Sequence, residues 1–540
     1  GERGRFEEIS SVGRQLILRS VLASDLTMLA AELSRIAAAD RRTRDYSLGT
    51  LRRALADVAA QMPVYRTYIA ERVSSSDRRY VEWAVGAATR RSRTADVTVF
   101  GFVRDVLLGR APPGSSADLR ARTLAFARRF QQFTSPVMAK GVEDTALYRF
   151  NRLVSLNDVG SEPDAFGLTV RAFHAANADR CENWPHALIA LSTHDSKRSA
   201  DVRARIDVIS ELPAQWRLLL RRWRTMNRRR RVALRTGRRG SDAAPSRNDE
   251  YLLYQVLLGS FRPEQDAGDG LAAYTDRIDG YMVKAAREAK QETSWVNPDP
   301  DYERALSGFV RAILAPGDSN AFLADLAAQV EQFGWFGALN SLAMATLHLT
   351  APGVPDLYRG NECFDFSLVD PDNRRPVDFA AHAALLERIE GRIDEAGVEA
   401  TAAELSRDPR ADAAKLFVTW RLLQLRRAEP ALFRDGEYRP LQVSGAGAEH
   451  LLAYARCSGT SIVVVVVARL FVKLLQTPGR LPEGDVWRDT AVLLDGLVDG
   501  ELVDRVSGRR VQVGQDRIAA ASIFAGFPGA VLSGRRAPAA

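Results

Sequence analysis

Cysteine is scarce in this sequence: three of 540 residues, Cys181, Cys363 and Cys457, all far apart. That spacing excludes a disulfide framework and a CxxC redox or zinc motif, and it makes a reducing cytoplasm the expected setting. Histidine is sparse too, with six scattered residues and neither HxH nor HExxH. No protein-ligated metal and no cofactor is expected from such a set. Long hydrophobic runs are missing. The most apolar stretch, Ile462–Ala468, is too short to span a bilayer, so no membrane partner is expected. The polar start Gly-Glu-Arg-Gly-Arg is no signal peptide. Neither charge sign dominates: 75 basic residues face 67 acidic ones, a net +8. That is mild for the length, nearly all the basic residues are arginine, and no nucleic-acid partner is implied. The arginine-dense segment Arg221–Arg239 lies beside Trp216, Leu218 and Trp223, which reads as an amphipathic helix with a solvated face. Internal repeats and low-complexity tracts are absent as well.

What remains is an ordinary globular composition, 46% hydrophobic and 26% charged, long enough for two to four domains. Apolar residues recur with helical period from Leu16 to Ile36, and helices follow over Leu48–Gln61, Tyr80–Arg90 and Val97–Leu108. Pro63–Tyr68 reads as extended. Further helices are expected over Ser199–Leu212, from Asn248, over 271–295, Phe322–Ala345, Phe379–Glu399 and Ala413–Glu429. Beyond residue 430 the pattern changes to short strands between Gly and Pro turns, at Tyr438–Val443, Leu451–Arg456, Ser461–Ala468, Ala491–Leu494 and Ala519–Phe524. That is a separate all-β module.

Three stretches concentrate polar residues. In the first, a short apolar strand, Leu188–Leu191, runs into Ser192-Thr-His-Asp-Ser-Lys-Arg-Ser199. A strand buried on both faces runs apolar without alternation, and polar residues at its C-terminal end are where a parallel barrel places its chemistry. An N-capped loop gives the same pattern. In the second, Lys140, Glu143, Asp144 and Arg149 interleave with Tyr148 and Phe150. Aromatic faces stack on sugar rings while charged groups bond hydroxyls, although a surface helix with i,i+4 pairs reads the same way. The third, Pro352-Gly-Val-Pro-Asp-Leu-Tyr-Arg-Gly-Asn-Glu362, repeats the first pattern: a short strand, Val354–Tyr358, and a polar loop.

Together these stretches resemble maltooligosyltrehalose synthases, retaining enzymes of the α-amylase superfamily (glycoside hydrolase family 13). The likeness rests on Met138–Tyr148, Ser192–Arg205 and Thr350–Glu362, supported by Asn248–Tyr254, Thr293–Pro298 and Asp370–Phe379. It covers most of residues 10–440. It implies an α/β fold: the C-terminal part of an amylase-type (β/α)8 barrel with large helical insertions, followed by a small all-β domain. The implied partition is 1–186, helical insertions; 187–405, barrel strands seven and eight with an insertion at about 210–320; and 406–540, a linker helix and the β domain.

The resemblance also implies a reaction, intramolecular transglycosylation. The reducing-end α-1,4 bond of a maltooligosaccharide becomes an α,α-1,1 bond, and a maltooligosyltrehalose trehalohydrolase is the pathway neighbour. Asp195, with His194 beside it, matches the third catalytic carboxylate of amylases. Lys140 and Lys197 match contacts to the glucose that turns. Glu143, Asp144, Tyr148, Arg198, Tyr358, Asn361 and Glu362 are the other substrate-binding candidates. Retaining chemistry needs a nucleophile and an acid/base carboxyl about 5–5.5 Å apart. Neither superfamily motif is present, because Arg205-Ile-Asp207 comes after Asp195, in the wrong order and within an expected helix. The expectation is therefore an N-terminally truncated fragment, inactive alone, with strand edges and apolar faces left open. A catalytically dead glucan-binding protein and an amylase-type glucan hydrolase are the rival readings.

Overall fold

The computed structural model describes residues 4–92, 97–112, 114–234, 241–266, 268–317, 319–524 and 526–537. The chain forms two compact units, Gly1–Arg152 with Lys284–Pro300, and Leu153–Val283 with Asp301–Ala540.

The first unit is built on six helices: α1 (Phe6–Arg19), α2 (Ala23–Ala38), α3 (Leu48–Ala60), α4 (Ser75–Arg91), α5 (Thr98–Leu107) and α6 (Ala117–Met138). Serine hydroxyls start three of them. Ser47, Ser74 and Ser116 accept the amides of Thr50, Asp77 and Leu119, satisfying donors that a helix start leaves open. The periodic apolar stripe forms the core, with Leu26, Leu29, Leu33, Leu51, Leu55 and Val58 buried together. At Met138 the chain passes from α6 into a π-helical segment, Ala139–Ala146. Wide turns of this kind recur at functional sites. Here it crosses α1 at two glycines. A Cβ on Gly13 would lie 2.3 Å from the Gly141 carbonyl oxygen, and one on Gly141 would lie 2.7 Å from Arg14 Cα.

The second unit contains α7 (Val170–Asn183), α8 (Ala200–Asp207), α9 (Pro213–Asn227), α10 (Arg247–Ser260), most of α11 (Leu271–Ala289) and α12 (Pro300–Ile313), α13 (Ala321–Thr350), α14 (Phe379–Ala396) and α15 (Asp412–Ala428). Two short strands, β1 (Leu188–Ala190) and β2 (Val354–Asp356), pair in parallel, Ile189 opposite Pro355. Helix α13 is apolar on nearly all sides and buried along much of its length. Close glycine contacts let α8 pack against both α10 and α13. A Cβ at Gly259 would meet Ile206 at 2.7 Å, and one at Gly337 would meet Arg205 Cα at 2.8 Å.

The C-terminal region is antiparallel. Its strands are β3 (Glu437–Leu441), β4 (Val443–Ser444), β5 (Leu451–Ser458), β6 (Ser461–Ala468), β7 (Ala491–Leu493), β8 (Val498–Asp504), β9 (Arg510–Val511), β10 (Arg517–Ala519) and β11 (Gly529–Arg536). They form a six-stranded sheet, β9-β8-β11-β6-β5-β3, and a three-stranded one, β10-β7-β4. The apolar run Ile462–Ala468 is β6. It is held between β5 and β11 and buried throughout, which is why it shows no polar alternation.

The fold is thus mixed and mostly helical, with a C-terminal antiparallel region, and among the described residues the parallel strands do not close a barrel. Strand β1 is not buried as expected: Leu188 is 73% exposed. A parallel strand is buried only when neighbours and crossover helices cover it, and β1 pairs with β2 alone. The expected helix over 271–295 stops at Ala289, where Lys290 takes a positive φ. Of the expected strand 519–524 only Ala519 pairs in a sheet; Ala520–Ile523 turns as a short helix. Val354–Tyr358 narrows to three residues. The arginine-dense segment begins within α9, whose buried Trp216, Leu219 and Trp223 form its inner face; its residues 235–239 lie outside the described residues.

Candidate functional site

The polar loop leaves the C-terminal end of β1 and is shaped by its own short side chains. Thr193 donates its amide to Ser196 Oγ at 3.0 Å, and its hydroxyl accepts the Asp195 amide at 3.2 Å. Ser199 then caps α8 through the Val202 amide at 3.3 Å. Within this turn Lys197 Nζ lies 3.5 Å from Asp195 Oδ1. The lysine side chain is 2% exposed and the carboxylate 49%. A buried ammonium thus sits behind a carboxylate that faces outward. The Lys197 amide reaches Asp158 Oδ1 at 3.3 Å, and Asp158 in turn pairs with Arg203 at 3.3 Å. His194 is exposed. Arg198 is buried, donating to Tyr281 Oη at 3.0 Å and to the Asn157 carbonyl at 2.7 Å.

The loops after β2 are stitched to this turn. Asn373 donates Nδ2 to the His194 carbonyl at 3.0 Å and lies 3.4 Å from that of Thr193, while its own carbonyl accepts Tyr358 Oη at 3.1 Å. Asn373 is fixed because the preceding Asp372 is held by Arg277 in a two-pronged pair at 2.8 and 2.9 Å. Burial alone would raise the Asp372 carboxyl, but the Arg277 bonds prevail and hold it below the usual range. Asn361 bonds Asp365 Oδ2 at 3.2 Å, and Glu362 meets His382 Nδ1 at 2.8 Å. From below, His348 of α13 contacts the Ile189 carbonyl through Nε2 at 2.8 Å, and burial lowers its pKa.

A buried ion pair anchors both loops. Lys415 Nζ of α15 lies 2.7 Å from Asp201 Oδ2, in the first turn of α8, and 3.0 Å from the Cys363 carbonyl. Asp201 Oδ2 also accepts the Asp365 amide at 2.8 Å.

Six of the expected residues therefore share one unit with His194 or adjoin it directly: Asp195, Lys197, Arg198, Tyr358, Asn361 and Glu362. Asp195 and Lys197 touch, and Tyr358 is linked to His194 through Asn373. Lys140, Glu143, Asp144 and Tyr148 lie in the other compact unit. There Lys140 Nζ pairs with Asp144 at 2.7 Å, Tyr65 donates to Glu143, and Tyr148 is buried. Lys290 donates to the Asp144 carbonyl at 2.7 Å and to Thr145 Oγ1 at 3.0 Å; burial lowers its pKa. Asp207 sits at the end of α8 with its carboxyl pushed up by burial. Sequence reasoning did not single out Asn373, Asp201 or Lys415. Asn373 lay inside the noticed run 370–379, whereas nothing local marks Lys415 as the partner of a residue 214 positions away.

Comparison with known proteins decides the relationship. Over 382 residues, 71% of its length, the chain is 34% identical to a putative maltooligosyl trehalose synthase of Mycobacterium tuberculosis H37Rv. The structure of maltooligosyltrehalose synthase from Arthrobacter ramosus matches 98% of the chain at 33% identity, with a TM-score of 0.74. The chain is a relative of the maltooligosyltrehalose synthases. A hypothetical maltooligosyl trehalose synthase of Sulfolobus tokodaii shares the fold at 24% identity and a TM-score of 0.66, over 98% of the chain. The chain covers 42% of the mycobacterial synthase and 58% of each of these two solved synthases. No protein-family model matches it. Among the described residues no helix is long and apolar enough to cross a membrane.

Proposed function

We propose that this chain is the glucan-holding portion of a maltooligosyltrehalose synthase. In this reading β1 and β2 are the seventh and eighth strands of an amylase-type barrel, with the all-β region beyond them. The reaction moves the reducing-end glucose of a maltooligosaccharide from an α-1,4 to an α,α-1,1 linkage without releasing it. Retaining it is what distinguishes the isomerase from a hydrolase, so groups that position the glucose carry the specificity.

The observation that carries the reading is the Asp195–Lys197 couple. An outward carboxylate accepts from sugar hydroxyls and favours positive charge developing at the anomeric carbon. The buried ammonium behind it holds the carboxylate in place. His194 is the neighbouring sugar contact, its backbone fixed by Asn373. Tyr358, Asn361 and Glu362 line the adjoining loop. Lys140, Glu143, Asp144 and Tyr148 enter as substrate contacts through the family motif. None of the 540 residues is assigned the nucleophile or the acid/base role.

Incubation with maltopentaose tests this. The expected outcome for the 540-residue chain is neither new reducing ends nor a non-reducing product. Rising reducing sugar would establish a hydrolase, and a non-reducing product would show that the missing carboxylates are in this chain after all.

A further inference from the structure

A cleft of about 270 Å³ opens in the second unit between α8, α13 and the loop carrying Phe364 and Phe366. Arg205, from α8, forms part of its wall. The residue is 7% exposed, and its guanidinium donates to the Phe261 carbonyl at 2.6 Å. Among the described residues no carboxylate lies within ion-pair distance of it. Beside it, Arg262 has a buried Nε without a hydrogen-bond acceptor, and its nearest carboxylate oxygen, on Asp266, is 3.8 Å away. Both guanidiniums lie over the Phe366 ring, at 4.3 and 5.3 Å. Burial and the neighbouring Arg262 lower Arg205 to about 10, which still leaves it charged at neutral pH. A buried guanidinium with no carboxylate in ion-pair contact, beside a half-buried one whose buried Nε lacks an acceptor, leaves donor capacity at the cleft.

Most acidic residues of the cleft are engaged by other groups. Asp201 is held by Lys415 at 2.7 Å, and Arg410 takes Glu331 at 2.6 Å and Asp408 at 2.9 Å. Asp412 accepts the Phe364 amide at 2.9 Å, and Glu264 is exposed. The ring faces are occupied too: Phe364 and Phe366 stack on each other at 6.2 Å, and Lys415 lies 5.2 Å from the Phe364 centroid. A pyranose therefore finds no free aromatic face here, which sets this cleft apart from a glucan subsite. The floor is made of small residues, Gly334 and Ala338.

We propose that this cleft binds a compact tetrahedral oxyanion, the phosphoryl group of inorganic phosphate or of a phosphate monoester, between Arg205 and Arg262. Planar guanidinium forks match such oxygens. The inference is independent of the glucan reading.

The test is calorimetric titration of the chain with inorganic phosphate and with glucose 1-phosphate, at constant ionic strength set by sodium chloride. Saturable one-to-one binding is expected. Arg262→Ala should weaken it about tenfold or more, the usual effect of losing a charge-assisted contact. Gly334→Leu, which fills the cleft, should abolish it. An added Cβ at Gly334 meets nothing closer than 3.9 Å, and a thermal melt of the leucine variant checks that it folds. Tighter binding of the sugar phosphate assigns the site to a monoester; equal binding assigns it to free phosphate. The absence of saturable binding, equal binding by both variants, or equal binding of neutral glucose would overturn the proposal.

Discussion

Removing Lys415 should uncover how much of the second unit rests on one buried ion pair. Its side chain is 6% exposed and that of Asp201 is 2%, with Nζ and Oδ2 2.7 Å apart. In Lys415→Met the methylenes are largely replaced, so the lost packing is small and the charge is what goes. The uncompensated Asp201 keeps the Asp365 amide at 2.8 Å and its place in the first turn of α8. The helix terminus returns about 0.3–1 kcal/mol to an anion there. Breaking one partner of a buried pair costs roughly 3–5 kcal/mol, so the net expectation is a loss of about 3 kcal/mol. In the double variant with Asp201→Asn the stranded charge is gone while an acceptor for Asp365 remains, and about 1–2 kcal/mol should return. Urea unfolding followed by tryptophan fluorescence measures both. A loss below about 1 kcal/mol in the single variant, or simple additivity in the double, would refute the argument that the pair is desolvated and coupled.

The neighbouring elements give further expectations. Asn373→Ala removes the bond to the His194 carbonyl and should cost about 1–3 kcal/mol, with faster amide exchange at residues 193–197 than elsewhere. Gly337→Ala drives a Cβ to 2.8 Å from Arg205 Cα and should destabilise by about 1–3 kcal/mol. Gly334→Ala, whose nearest neighbour is 3.9 Å away, should instead stabilise by roughly 0.5–1 kcal/mol as a helical glycine replaced; thermal melts separate the two signs. His348 is held below the ordinary histidine pKa by burial. The unfolded chain therefore binds its proton more readily. The contribution is present above pH about 6.5 and is lost as pH falls through the folded value. His348→Asn should flatten that part of the stability profile between pH 7.5 and 5, and an unchanged slope would count against it.

The order of elements was legible wherever a local rule applied. The periodic stripe of α2 and α3 and the uninterrupted apolar run that became β6 each carry their cause within a few residues. Strand β1 was legible as a strand but not in its exposure, because burial depends on which strands flank it. Ala520–Ile523 defeated a propensity argument: alternation is short there, and the chain turns between β10 and β11. At the candidate site the polar burst 192–199 was visible, since its turn is made by its own hydroxyls. Its supports were not. The bonds of Asn373, Arg277 and Lys415 that support it span 95 to 214 positions of sequence, and only packing brings such pairs together.

The most direct test of the central claim, that the Asp195–Lys197 couple grips a glucan, is the affinity of this chain for maltopentaose. Titration should show saturable binding. Asp195→Asn and Lys197→Met should each weaken it by about tenfold or more, as expected for losing a charge-assisted contact or its fixed geometry, while Arg262→Ala leaves it unchanged. Binding that is absent, or equal in wild type and both loop variants, would contradict the account.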